Sequence, residues 1–127
     1  MRLISLTVLV ALACVEAAEA RQPISVSLAE CAVIYEELGR SETRKRGVTE
    51  RSRKAENATE VFLTAAEEQA EAEGRADPAG FVSGWVPKHR AKWDDAFGSV
   101  LKFSENMEWV EYCGALGKDR GLLPIPD

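Results

Sequence analysis

A single histidine in 127 residues rules out any multi-histidine metal centre. The three cysteines include no CxxC pair, no CxxCH haem attachment and no zinc spacing. The nine glycines are scattered, so neither a Gly-rich phosphate loop nor a calcium loop can be drawn from them. No apolar run approaches the roughly 20 residues of a membrane-spanning helix. What remains is an ordinary globular balance, 46% hydrophobic and 29% charged with a formal charge of −5, in a chain long enough for one domain. No catalytic or cofactor motif is present, and neither a metal nor a cofactor is expected. The residues speak instead about where the chain goes and how it is built.

Arg2 is followed by thirteen uncharged residues, Leu3 to Val15, and then by Ala18-Glu19-Ala20. A positive start, a short apolar run and two small residues at the inspected positions make a secretory signal, with cleavage expected after Ala20. Thirteen residues are too few for a retained membrane anchor. Ala11-Leu12-Ala13-Cys14 offers an alternative, a lipobox-like site at which Cys14 would be acylated and the protein tethered to a membrane.

Removing residues 1–20 leaves 107 residues with 15 basic and 19 acidic side chains, a balance of −4, and it removes Cys14. Cys31 and Cys113 are then the only cysteines of an exported chain, and a disulfide between them is expected. The bridge closes a loop of about 80 residues, worth roughly 4–5 kcal/mol in the chain-entropy treatment. A reactive thiol would need a CxxC partner or a histidine close in sequence, and neither is there.

The mature chain reads as helix throughout. Ser27 and Glu30 have the spacing of a capping box, and Leu28, Cys31, Ile34, Tyr35 and Leu38 recur on one face behind it. Gly39 suits the end of this helix, with Arg46 as the alternative. A second helix is expected over about 48–73, with a seam of small residues (Ser52, Ala55, Thr59, Ala66, Ala70) around one large knob, Phe62. Asp77-Pro78 is a strong start for a third helix. Its band of Phe81, Trp85, His89, Trp93, Phe97 and Leu101 is interrupted by Pro87, where a kink or split is expected, and Gly98 marks its end. A last helix capped by Ser104 and closed by Gly117 would carry Trp109, Cys113 and Leu116 on one face, with Gly114 allowing close backbone approach.

His89 is the one imidazole. Asp94 and Asp95 project away from it on a helix, so a structural histidine among aromatics is expected, not a general base. Adjacent carboxylates such as Glu36-Glu37 and Glu67-Glu68 point about 100° apart and do not share a site. Asn57-Ala58-Thr59 matches a glycosylation acceptor, a short pattern that carries weight only in a glycosylating secretory route.

Charge is distributed more tellingly than its total suggests. Residues 40–54 hold seven cations (Arg40, Arg44, Lys45, Arg46, Arg51, Arg53, Lys54) against Glu42 and Glu50, a net of +5. Residues 55–77 hold seven acids against Arg75, a net of −6. The second helix is thus positive at its N-terminal end and negative at its C-terminal end, against its own macrodipole. Either this is a solvated charged hairpin, or the basic corner meets an anionic partner, a protein or an anionic surface. Nucleic acid is not expected of an exported acidic domain whose basic run has no interleaved aromatics.

The expectation is therefore an all-α protein over 21–127: a small antiparallel bundle of three to four helices stapled by Cys31–Cys113, with an extended tail at 122–127. Its expected role is a non-catalytic binding or accessory module, periplasmic or secreted. The competing expectation is a small exported enzyme that uses His89 with a carboxylate from another helix.

Overall fold

Local start signals open most of the helices seen in the computed structural model, which describes residues 22–125. The elements are α1 (Ile24–Arg46), α2 (Glu50–Ala72), α3 (Pro78–Trp93), α4 (Val100–Glu105) and α5 (Met107–Asp119), and among the described residues all regular structure is helical. The stretch read as a secretory signal, residues 1–20, and Cys14 within it lie outside the described residues.

Helix α1 begins earlier than the Ser27 capping box implies. Pro23 holds the N-cap position without a side-chain bond. Ser27 and Glu30 instead lie inside the helix and are buried. The missing cap is supplied from α2: the Ser25 N–H donates to the Glu73 carboxylate at 3.1 Å, and the Ser25 hydroxyl donates to its other oxygen. An orphan first-turn donor of one helix is thereby satisfied by the end of its neighbour. Nor does Gly39 end the helix. It lies mid-helix at a close approach to Ala55, and α1 continues to Arg46, after which Gly47 takes a positive φ of 75°.

Three residues connect α1 to α2, where Thr49 and Ser52 form a reciprocal capping box. The two helices are antiparallel, since Ser25 meets Glu73, Tyr35 packs on Phe62 with ring centroids 5.2 Å apart, and Gly39 faces Ala55. Of the expected small seam, Ser52, Ala66 and Ala70 are buried around Phe62, the single large knob, while Ala55 and Thr59 are half-buried and Ala58, outside the expected set, is buried instead. Val48 stays exposed.

Asp77 caps α3 by accepting from the Gly80 N–H at 3.1 Å, with Pro78 in the first turn. The helix runs unbroken through Pro87, so the expected split does not occur, and it stops at Trp93 before reaching Gly98. Asp95, at φ 54°, turns the chain. The final helical segment is in two pieces. Ser99 caps α4, which places Ser104 inside that helix, and α5 follows from Asn106, whose side-chain amide donates to the Ala96 carbonyl at 2.9 Å. Gly117 is also inside its helix; the positive-φ glycine is Gly121.

The core gathers around α1, which is buried on every side from Ser25 to Ile34. Phe62, Val82, Trp93, Phe97 and Cys113 reach it from the surrounding segments. The Cys31–Cys113 disulfide, with Cα atoms 5.5 Å apart, ties this central helix to α5.

Candidate functional site

At the α1–α2 turn the seven basic residues separate into three groups. Arg40 bonds Glu36 and Glu37, Arg44 reaches Asp95 at 3.5 Å, and Lys45 donates to the Phe97 carbonyl at 3.5 Å. These contacts hold α1 to itself and to the loop after α3. Arg46 pairs with Glu42 at 2.7 Å and Lys54 with Glu50 at 3.4 Å, both one helical turn apart. For Arg51 and Arg53 no ion pair occurs among the described residues.

Antiparallel packing accounts for the inverted charges of α2. Its acidic end lies at the N-terminus of α1, where Glu73 faces first-turn N–H groups. Burial would raise the Glu73 carboxyl, but bonds from the Ser25 hydroxyl and N–H, with Gln69 and Arg75, hold it below the usual carboxylate range. Its basic end lies at the C-terminus of α1. Each end opposes the dipole of its own helix while complementing that of the neighbour.

Four of the seven basic residues, Lys45, Arg46, Arg51 and Lys54, border a cleft of ≈ 600 Å³ between the turn end of this hairpin, α4 and the chain after α5. Arg40, Arg44 and Arg53 do not border it. The cleft is walled by Tyr35, Leu38, Ala58, Phe97, Phe103 and Leu123. Ala55 and Ala58 of α2 line it together with Tyr35 and Leu38 of α1. The basic run points to the rim, whereas the cavity escapes sequence reasoning. Its walls come from three distant segments, and the only signal for it was the smallness of the α2 seam.

His89 lies elsewhere. It is 4% exposed, stacked on Trp85, with Nδ1 3.9 Å from a carboxylate oxygen of Glu30, which is 1% exposed. Glu30 also accepts from Lys92 Nζ at 2.7 Å, Trp93 Nε1 at 2.9 Å and Gln22 Nε2 at 3.0 Å. Burial alone would raise its pKa; these three bonds and the Lys92 charge outweigh that and hold it below the usual range. Burial pushes His89 down, against the opposing pull of Glu30 and the Val26 backbone, with Lys92 and Lys88 adding to the depression. A histidine and a carboxylate from another helix do meet here, but inside the core. Neither lines the cleft at the basic corner.

Among the described residues no helix is long and apolar enough to cross a membrane, and no group of three or more His, Cys, Asp or Glu side chains is placed to hold a metal ion. Comparison with protein-family models, with curated proteins and with solved structures gives no match to this chain.

Proposed function

We propose that this is an exported, non-catalytic binding module that receives an anionic partner at the basic corner between α1 and α2. One observation carries the reading: four cations from the two sides of the α1–α2 turn meet at the mouth of an apolar cleft whose walls come from distant segments. Clefts of roughly 300–1,000 Å³ with apolar walls and a few convergent polar groups are the usual form of a ligand site. The rim carries four cations against Glu42, which lines it, and Glu50, which pairs with Lys54, so a net of +2 faces solvent. Export is supported by the disulfide, which persists in oxidising compartments, and by the signal-like N-terminal residues. A non-catalytic role is supported by the burial of the His89–Glu30 pair away from this opening.

The test is a charge-reversed protein, Lys45→Glu with Arg46→Glu and Arg51→Glu. With helical content unchanged by circular dichroism, partner recovery from the producing host should drop sharply relative to the native protein. Equal recovery removes the corner from consideration.

A further inference from the structure

The cleft joins two surfaces of opposite character. Its walls are mostly aliphatic and aromatic, and they carry two hydroxyls, that of Ser41, already donated to the Phe97 carbonyl at 2.9 Å, and that of Tyr35. The walls therefore hold few directional groups of the kind a sugar or a nucleobase requires. Its mouth is the reverse. Arg46, Arg51 and Lys54 are placed along it, and Arg51 has no ion pair among the described residues. A ligand matching both must be apolar along most of its length and negative at one end. The volume of ≈ 600 Å³ lies within the range of small-molecule sites, which suits one chain and not a bilayer surface.

We infer that the cleft binds a single-chain anionic amphiphile, an alkyl carboxylate taken from solution, with its head among Arg46, Arg51 and Lys54 and its chain along Tyr35, Leu38 and Phe103. This rests on the anionic-partner reading above and names the chemistry of that partner. The chain gains from apolar burial, which is proportional to the methylenes removed from water. The head gains charge-assisted hydrogen bonds, the stronger kind, from arginines able to bind a carboxylate in bidentate fashion. The wall at Phe103 belongs to α4, in which no residue is buried, and its ring covers the buried Phe97 edge-on at 5.8 Å.

The experiment is calorimetric titration of the oxidised protein, purified from its producing host, with straight-chain alkyl carboxylates of 4 to 14 carbons kept below micelle formation. Alcohols of equal length and vesicles of anionic or zwitterionic phospholipid form the control arms. Affinity should rise by about fourfold per added methylene until the cleft is full and then level off. Carboxylate should exceed the alcohol of equal length by about tenfold or more. Arg46→Glu with Arg51→Glu should erase that preference while sparing alcohol binding. Phe103→Ala should weaken both series with the helical signal unchanged.

Equal affinity for acid and alcohol, no dependence on chain length, or binding to anionic vesicles alone would each overturn the assignment. If no carboxylate binds while charge reversal still abolishes partner recovery, the amphiphile is excluded and the anionic corner stands. If charge reversal leaves recovery unchanged as well, both readings fall.

Discussion

A methyl group added at Gly117 has nowhere to go. An added Cβ there would lie 2.8 Å from the Phe62 ring and 2.6 Å from Leu123, whereas at Gly114 it would meet nothing within 4 Å. Both glycines sit inside α5, where alanine is intrinsically the better helix former. Gly114→Ala should therefore stabilise by about 0.5–1 kcal/mol. Gly117→Ala should destabilise by about 1–3 kcal/mol through overpacking. Urea midpoints of opposite sign are the expected result, and two shifts of the same sign would contradict the packing. In sequence the two positions look alike. Gly117 reads as a helix end and Gly114 as the close approach, whereas both lie inside the helix and the close approach is at Gly117, because only the tertiary neighbours Phe62 and Leu123 distinguish them.

The buried pair of His89 and Glu30 governs the acid response at the same scale. The native pKa of His89 is lowered from 6.5, chiefly by burial, so the unfolded chain takes up a proton that the native protein refuses. Stability from this group is complete above pH 6.5 and is lost as pH falls below it. Glu30, with its native pKa held below 4.5 although burial opposes this, adds a second loss as pH falls below that value, as does Glu73. Folding stability should thus decline in two steps on acidification. His89→Phe, which keeps an aromatic ring beside Trp85, should abolish the first step and leave the second. Urea midpoints from pH 8 to pH 3 for both proteins decide the matter, and an unaltered first step in the variant would show that another group titrates.

At the scale of the element, starts were more legible than ends. Asp77-Pro78 is a local device, an aspartate bonding the Gly80 N–H three residues on, and it works as read. The start of α1 is not local, since its first turn is capped by Glu73 from another helix, and no pattern around Ser27 could reveal that. Gly39 and Pro87 mislead for a related reason. Packing of α1 against α2, and of α3 against α1, outweighs a single poor helix former. Pro87 is exposed and lacks the N–H that would bond the Ser83 carbonyl. Its replacement by alanine should stabilise by about 1–2 kcal/mol. That is less than the ~3 kcal/mol of intrinsic propensity, because alanine also returns freedom to the unfolded chain. A rise in urea midpoint with equal or greater helical signal is expected. A fall would mean that contacts of the Pro87 ring outweigh its missing hydrogen bond.

Across the whole molecule, the all-helical class and the Cys31–Cys113 staple were readable because both depend on periodicity and on cysteine count. The central position of α1 was not, although the stretch from Val26 to Ile34 contains a single charge, Glu30, which in retrospect marks burial on all sides. The last third of the chain shows why the staple matters. Helix α4 has no buried residue, with Val100 87% and Leu101 69% exposed, and α5 buries only Cys113 and Gly117. Beside the bridge, this segment is held by partly buried side chains and polar contacts, among them Trp109 edge-on to Trp93 at 5.6 Å, Phe103 edge-on to Phe97 at 5.8 Å, Asn106 to the Ala96 carbonyl, and the Gly117–Phe62 approach. A link spanning 82 residues constrains the unfolded chain by roughly 4–5 kcal/mol, against a total of about 5–15 kcal/mol for a domain. Replacing Cys31 and Cys113 together by alanine should therefore lower stability by about 4 kcal/mol, more than any other change argued above. The loss should be felt first at α5. Tryptophan fluorescence of a protein that also carries Trp85→Phe, and so senses Trp93 and Trp109 alone, should begin its urea transition before far-ultraviolet circular dichroism, which senses mainly α1 to α3. Coincident transitions with a midpoint little changed would show that side-chain packing alone holds α5. The expected separation would instead mean that the chain reaches full stability only after oxidation, in agreement with a protein that works outside the reducing interior of the cell.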